Sequence, residues 1–182
     1  GVKQEDLILG DKNAVLVAAR ILAYGPEYTA EVANPKDSEE TVSHTFDLSQ
    51  CPFKELSKKV DYSDNSFDFT TPVGKNKLKF KLLTGADETL IEKDIKQSSK
   101  FGVSSDISTR LRYTVTEVDG ESKQNIINEF TQNLLARDSV ALRNYIRDIA
   151  PDIDLTSEVE IGGEAVDVSI PLTVEFFWPS SV

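Results

Sequence analysis

Three stretches of the chain alternate apolar and polar residues on either side of a turn-rich segment. Residues 28–48 alternate around a polar tip, residues 67–82 around "PVGKN", and residues 157–178 around Gly162-Gly163. A period of two places apolar side chains on one face of a β-strand, and turn residues between two such runs predict a β-hairpin. Gly-Gly supplies the positive φ angles that a tight hairpin turn requires. The sequence therefore predicts three antiparallel hairpins, each with one apolar face to cover.

Apolar residues recur at helical spacing in the rest of the chain. Residues 11–24 predict a helix that Asp11 or Asn13 caps and that a Gly-Pro pair ends. Between residues 85 and 150, spacings of three and four predict about four more helices. Three of these helices are expected to begin at polar residues: Asp87, Ser122, and Asp138 or Ser139. Residues 107–115 fit both a helix and a strand, and we prefer the helix.

These elements predict the α+β class, with a helical core that carries β-hairpins. A chain of 182 residues is long enough for one domain with a sizeable core. We expect an N-terminal part, residues 1–84, with one helix and two hairpins. A C-terminal part, residues 85–182, is expected to hold the helical bundle and the last hairpin. We expect the two parts to form one compact unit. Because the sequence contains no methionine, we expect a processed chain or a fragment.

The charge and the cysteine content exclude several classes of function. With 20 basic and 31 acidic residues the net charge is −11, which repels phosphate backbones and anionic lipids. We therefore expect neither a nucleic-acid nor a membrane partner, and the longest apolar runs fall short of the roughly 20 residues of a membrane span. The single cysteine, Cys51, excludes an internal disulfide and a thiolate metal cluster. A soluble, cytoplasmic protein is expected.

No catalytic motif stands out in the sequence. His44 is the only histidine, and Cys51 follows seven residues later, beyond the predicted end of the same strand; a half-buried strand histidine is favoured over a catalytic His–Cys pair. A metal site built from Asp37, His44, Asp47 and Cys51 would lack the paired C-x-x-C spacing of zinc ribbons. The segment "PVGKNK" has one glycine and matches no phosphate-binding loop. We therefore expect no enzyme activity, no cofactor and no metal.

One candidate contact surface is a row of lysines in the second hairpin. Lys77, Lys79 and Lys81 alternate with apolar residues and share one strand face. Such a face could attract an anionic partner. A solvated or edge-protecting row is the favoured interpretation, because lysines commonly blunt the exposed edges of sheets.

The second candidate surface is the aromatic end "LTVEFFWPSSV". Read as a strand, one face carries Ile170, Leu172, Val174 and Phe176. This pattern predicts that Phe176 lies in the core and that Phe177 faces outward. Trp178 is expected to help Phe176 pin the last hairpin to the core. The alternative is that Phe177 and Trp178 form an exposed docking patch, since aromatic side chains are common interface anchors.

Several segments together resemble one protein family. In order along the chain they are "RILAYGPEYTAEV" with "FDLS", "LKFKLLTGADE", "RYTVTEVDG", "NLLARDSVALRNYIRDIAPDIDL" and "VSIPLTVEFFWPSSV". Through these segments, which cover most of the chain from about residue 14, the sequence resembles the baseplate hub and hub-assembly proteins of T-even-type contractile-tailed bacteriophages. Members of that family have an additional N-terminal segment, which agrees with the expectation of a fragment.

The sequence departs from the family pattern at the hairpin tips. Many members carry C-P-x-C knuckles of the zinc-ribbon type there. Here the first tip reads Asn34-Pro35-Lys36-Asp37, and the other tip ends in Gly162-Gly163, so neither tip has a thiolate. The resemblance, with this departure, implies hairpins that resemble metal-free zinc ribbons.

The resemblance implies a structural role without catalysis: a component or assembly factor of the phage baseplate hub. Its partners would be other hub or tail proteins, and it could also form a homo-oligomer. It would be located in the host cytoplasm during assembly, and in the virion if it stays in the baseplate. The alternative is an adaptor or inhibitor-like protein-binding module that docks through a degenerate zinc-ribbon hairpin.

Overall fold

The computed structural model describes residues 3–34, 37–99 and 106–178. Helices and small antiparallel sheets are both present in this part of the chain, which confirms the α+β class. In chain order the elements are α1 (Leu9–Tyr24), β1 (Glu27–Asn34), β2 (Asp37–Asp47), β3 (Phe67–Thr70), β4 (Lys77–Phe80), α2 (Gly85–Ser99), α3 (Asp106–Thr114), β5 (Val115–Val118), α4 (Gln124–Asn133), α5 (Ala136–Ile149), β6 (Thr156–Ile161), β7 (Glu164–Ser169) and α6 (Val174–Phe177).

The chain divides into two compact units, each built from two separate segments. Unit 1 comprises residues 1–12 and 55–151, and unit 2 comprises residues 13–54 and 152–182. This division differs from the expected boundary after residue 84. The reason is that the first and last hairpins pack with each other, and the second hairpin packs with the central helices.

Unit 2 is formed by the first and third predicted hairpins. Strands β1 and β2 pair antiparallel, with Tyr28 opposite Phe46 and Val32 opposite Val42. Pro35 and Lys36 of the predicted tip lie outside the described residues. Strands β6 and β7 also pair antiparallel. As predicted, Gly162 and Gly163 form the turn between them, with φ angles of 62° and 83°.

The core of unit 2 combines the inward faces of both hairpins with one face of α1. The alternating burial of β1 agrees with the predicted pattern, because Tyr28, Ala30 and Val32 are all buried. The buried core residues are Val17, Tyr28, Ala30, Val32, Phe46, Leu48, Ile153, Val159, Ile161, Val168, Ile170 and Phe176. The core of unit 2 therefore joins strands that are distant in the sequence, with α1 and α6 adding Val17 and Phe176.

Unit 1 contains helices α2 to α5 and a three-stranded antiparallel sheet in the order β3-β4-β5. The second predicted hairpin is confirmed as β3 and β4, with Phe67 opposite Phe80. The ambiguous segment at residues 107–115 is mostly helix, as preferred, but β5 follows α3 directly and adds a third strand beside β4. The buried core residues are Phe67, Leu78, Phe80, Leu82, Leu111, Val115, Val118, Ile127, Leu142 and Ile149.

Several predicted helix starts are wrong by two to four residues. Helix α1 begins at Leu9, before both Asp11 and Asn13, and α4 begins at Gln124, after Ser122. Helix α5 begins at Ala136, so Asp138 lies inside its first turn and does not cap it. None of the described helices is long and apolar enough to cross a membrane.

The predicted strand through the aromatic end is also wrong. Strand β7 ends at Ser169, and the chain forms the short helix α6 five residues later, at Val174. Pro171 lacks an N–H for a sheet ladder, and its carbonyl instead accepts a hydrogen bond of 2.9 Å from the Tyr28 hydroxyl. Phe176 is fully buried, as predicted, but Val174 on the same predicted face is 75% exposed.

Candidate protein-interaction surfaces

The aromatic end of unit 2 is anchored by Phe176. Its ring packs edge-to-face on Tyr28 with centroids 5.0 Å apart, and on Phe177 with centroids 4.9 Å apart. Edge-to-face geometry is favourable because it brings the positive edge of one ring to the negative face of the other. We call Tyr24, Tyr28, Phe176, Phe177 and Trp178 the terminal aromatic cluster.

A buried arginine lies inside the terminal aromatic cluster. The Arg20 side chain is only 6% exposed, and its guanidinium lies 4.8 Å from the Tyr24 ring centroid and 6.0 Å from that of Phe176. It donates hydrogen bonds to the carbonyls of Gly25, at 3.2 Å, and Glu27, at 3.3 Å. The Arg20 Nε atom has no partner among the described residues. The cation is therefore stabilised by ring faces and by carbonyls at the junction of α1 and β1.

Trp178 is the most exposed member of the terminal aromatic cluster. It is 72% exposed, although its backbone N–H is fixed by a 3.0 Å hydrogen bond to the Val174 carbonyl. Phe177 is half-buried against the core, so the prediction that it faces fully outward is wrong in part. Trp178 does not pin the hairpin to the core; that role belongs to Phe176. An exposed aromatic side chain on an anchored backbone is typical of an interface residue.

Lys77 and Lys79 lie on the central strand of the sheet in unit 1, and Lys81 directly follows this strand. Because β4 has β3 on one side and β5 on the other, the edge-protecting interpretation is wrong. Lys79 Nζ is 3.7 Å from a Glu117 carboxylate oxygen, and Lys81 Nζ is 2.7 Å from Asp87 Oδ1. Lys77 is exposed, and its backbone N–H donates to Asp119. Acidic neighbours therefore neutralise much of the positive charge that would attract an anionic partner.

The carboxylate of Asp87 closes a small polar network around Lys81. It accepts hydrogen bonds from both the backbone N–H and the hydroxyl of Thr84, each at 3.0 Å. Burial alone would raise the pKa of Asp87, but the hydrogen bonds from Lys81 and Thr84 outweigh it and hold this pKa below its ordinary value. The carboxylate is therefore ionised at neutral pH and fixes the start of α2.

The loop between β3 and β4 is clamped by two carboxylates. Asp138, only 1% exposed, accepts hydrogen bonds of 2.8 Å from the backbone N–H groups of Val73 and Gly74. Asp119 accepts from the Asn76 side chain at 2.8 Å. A Cβ atom at position 74 would lie 2.7 Å from Asn76 Oδ1 and 3.1 Å from Asp138 Oδ2. Glycine is therefore the residue that lets the loop approach Asp138.

Beside this clamped loop, α4 and α5 border an open groove of about 370 Å³. We call it the elbow groove. Its apolar wall is formed by Val118, Ile126, Phe130, Leu134 and Leu135. Leu135 is about half exposed. Polar atoms are contributed by Asn76, Glu129 and Asn133. The elbow groove combines apolar walls with a few acceptors, as binding pockets commonly do.

A third apolar surface is the outer face of α1. Leu22 is 88% exposed, and the side chains around it on this face are small or apolar: Val15, Ala18, Ala19 and Ala23. The buried face of the same helix carries Val17 and Arg20. Within unit 2, helix α1 therefore has an exposed face that is apolar, unlike a typical surface helix.

The surroundings of His44 and Cys51 do not favour a nucleophilic thiolate. His44 lies on β2 and packs edge-to-face on Phe46, with centroids 4.7 Å apart. Burial and the neighbouring carboxylates of Asp154 and Asp47 raise the pKa of the Cys51 thiol. This favours the thiol over the thiolate that nucleophilic catalysis requires.

No group of His, Cys, Asp and Glu in the described part of the chain is arranged to hold a metal ion. Asp37 is one of the residues that the sequence analysis considered for a metal site, and its side chain lies outside the described part of the structure. The Asp47 carboxylate accepts hydrogen bonds from the backbone N–H and the hydroxyl of Ser49. It therefore caps the short turn that follows β2.

Arg20 and Asp138 were both missed by sequence reasoning. Arg20 is the only charged residue between positions 13 and 24, and this isolation in an apolar run could have indicated a buried cation. Asp138 looked like a helix cap because it lies near the start of α5. Its true partners are 64 and 65 residues away, so no local pattern could reveal them.

Comparison with profiles of known protein families, with curated proteins and with solved structures found no match. The family resemblance of the motifs therefore stays a prediction. Trp178, the elbow groove and the outer face of α1 are the surfaces from which a function can be inferred.

Proposed function

We propose that this protein is a structural component or assembly factor of the tail baseplate hub of a contractile-tailed bacteriophage. It acts through contacts with other hub or tail proteins and performs no catalysis. It works in the host cytoplasm during assembly, and Trp178 is its main contact residue.

The observation that carries the proposal is the exposure of Trp178 next to a fully buried Phe176. Exposing an indole to water is unfavourable, whereas transferring it into a protein interface stabilises the complex. The order of the family-like segments supports the particular partners, since the last of them ends in this aromatic cluster. The lysine row is a weaker candidate, because Lys79 and Lys81 are paired with the carboxylates of Glu117 on β5 and Asp87 on α2.

Capture of baseplate proteins tests the proposal. The chain is tagged at its N-terminus and incubated with separately purified hub and tail proteins of a T-even-type phage. Three versions are compared: wild type, Trp178→Ala and Val174→Ser. Val174 is the matched control because it lies on α6 and is equally exposed but not aromatic.

We expect wild type and Val174→Ser to retain a hub or tail protein, and Trp178→Ala to bind it at least about 30-fold more weakly, as for an interface hot spot. Equal capture by Trp178→Ala would contradict the contact role of Trp178. Capture of none of the baseplate proteins by wild type would favour the alternative, an adaptor or inhibitor-like module from another system.

A further inference from the structure

We propose that Trp178 of one copy of this chain inserts into the elbow groove of a second copy. This inference rests on the contact role of Trp178 proposed above and names one partner for it. The donor side chain belongs to unit 2 and the acceptor groove to unit 1, so the two halves of the contact are different surfaces.

The size of the elbow groove matches one large side chain. Pockets that enclose whole ligands or cofactors range from about 300 to 1,000 Å³. At about 370 Å³, and open to solvent, the elbow groove is at the small end of this range. The rings and alkyl groups of Phe130, Leu134 and Leu135 offer an apolar surface to the faces of an indole.

Polar atoms in the elbow groove match the single donor of the indole ring. A tryptophan has one N–H donor and no acceptor. The elbow groove provides carboxylate or amide oxygens from Glu129, Asn133 and Asn76. Glu129 has no ion-pair partner among the described residues, so its carboxylate can accept a hydrogen bond from the indole.

Charges beside the two surfaces are also complementary. Lys75 and Arg137 are exposed and lie next to groove residues in the chain, and neither is in an ion pair with a described residue. On the donor side, the exposed Glu175 precedes Trp178 by three residues. Attraction between them offsets part of the repulsion between two chains of net charge −11.

One side of the elbow groove is a rigid loop, and this rigidity favours binding. The loop that carries Gly74 and Asn76 is fixed by Asp138 and Asp119. A preformed groove loses little conformational entropy when it binds. Because donor and acceptor surfaces differ, repeated contacts would close into a ring or extend as a chain.

Sedimentation velocity over a range of protein concentrations tests this contact. The donor variant is Trp178→Ala. The acceptor variant is Leu135→Asp, which places a charge in the groove wall while giving the N-cap position of α5 a side chain that can cap the helix. Leu22→Ser, on the outer face of α1, is the control for a contact through that helix. Circular dichroism checks that each variant is folded.

We expect wild type and Leu22→Ser to show sedimentation coefficients that rise with concentration. Trp178→Ala and Leu135→Asp, each alone, should self-associate at least about 30-fold more weakly. An equimolar mixture of the two variants should form a complex that stops at two chains. In that mixture the intact tryptophan of one variant meets the intact groove of the other.

The inference is overturned if wild type stays monomeric at every concentration, if the mixture stays monomeric, or if Leu22→Ser abolishes self-association and Trp178→Ala does not. A monomeric wild type that still captures a baseplate protein through Trp178 would overturn only this inference. The proposed function fails separately, when wild type captures none of the baseplate proteins.

Discussion

Both units bury a charged side chain, but they satisfy it in different ways. In unit 1, the Asp138 carboxylate accepts two backbone hydrogen bonds of 2.8 Å. In unit 2, the Arg20 guanidinium makes longer hydrogen bonds of 3.2 and 3.3 Å to carbonyls, leaves Nε without a described partner, and lies among aromatic rings. Unit 1 thus fixes a loop by directional polar contacts, whereas unit 2 holds its C-terminal segment mainly by apolar packing.

The two proposed contact surfaces, the elbow groove and Trp178, differ in the same way. The elbow groove is bordered by a loop that is held at the Gly74 backbone by Asp138 and at the Asn76 side chain by Asp119. Trp178 directly follows the short helix α6, whose Phe176 ring packs on Tyr28. Charge-assisted hydrogen bonds are strong and directional, whereas aromatic side chains stabilise chiefly through the apolar area that they bury.

The largest effect is expected from loss of the aromatic anchor in unit 2. Phe176→Ala should lower the free energy of unfolding by about 4 kcal/mol, because it removes a fully buried ring that contacts Tyr28. Urea unfolding measures this loss, and hydrogen exchange of β1 should show that it is confined to unit 2. Phe177→Ala is the control and should cost clearly less, since Phe177 is half-buried. Equal costs would show that Phe176 is not the anchor.

The clamp in unit 1 should give the next largest effect. Asp138→Ala removes two hydrogen bonds to a charged acceptor and should lower the free energy of unfolding by about 3 kcal/mol. Asp138→Asn keeps the shape and one acceptor oxygen, so its cost should be smaller. Hydrogen exchange at Val73 and Gly74 should rise in both variants. Unchanged exchange there would contradict the clamp.

An ion pair in unit 1 should make stability depend on pH. The pKa of Asp87 in the folded chain lies below its ordinary value of 3.8. The contribution of the Asp87 carboxylate to the free energy of unfolding is therefore fully present above pH 3.8 and is lost as the pH falls through the folded-state pKa. Asp87→Asn should cost about 1 kcal/mol near neutral pH. The difference between wild type and variant should shrink at acid pH, and a constant difference from pH 7 to pH 2 would contradict this assignment.

The smallest effect is expected at the buried cation of unit 2. Arg20→Met keeps an unbranched apolar side chain among Tyr24, Tyr28 and Phe176 but removes the guanidinium. Since the hydrogen bonds of Arg20 are long and one nitrogen has no described partner, the cost should be below about 1 kcal/mol. A loss as large as that of Asp138→Ala, measured by urea unfolding, would remove the contrast between the units.

The hairpins could be predicted from the sequence because their signals are local. Alternation at Leu78 and Phe80, and two glycines at positions 162 and 163, are sufficient to predict strands and a turn. Which hairpins share a core could not be predicted in this way, because that choice depends on contacts between segments more than 100 residues apart. The hydrogen bond from Tyr28 to Pro171 is one such contact.

The candidate site was predicted only in part, for a similar reason. Aromatic composition indicated Trp178, but the strand pattern assigned it to the core, whereas Pro171 ends the sheet and α6 exposes the indole. The elbow groove left no signal in any one segment, since it combines the β3–β4 loop with α4 and α5. The lysine row was found, but its carboxylate neighbours on β5 and α2 were not.

The central claim, that Trp178 is the contact residue, can be tested through its own resonance. Because the chain has one tryptophan, labelling with 5-fluorotryptophan gives a single ¹⁹F signal. We predict that this signal shifts and broadens when unlabelled hub or tail proteins bind, since the indole passes from water into an interface. A signal that stays sharp and unshifted while gel filtration shows a complex would contradict the claim.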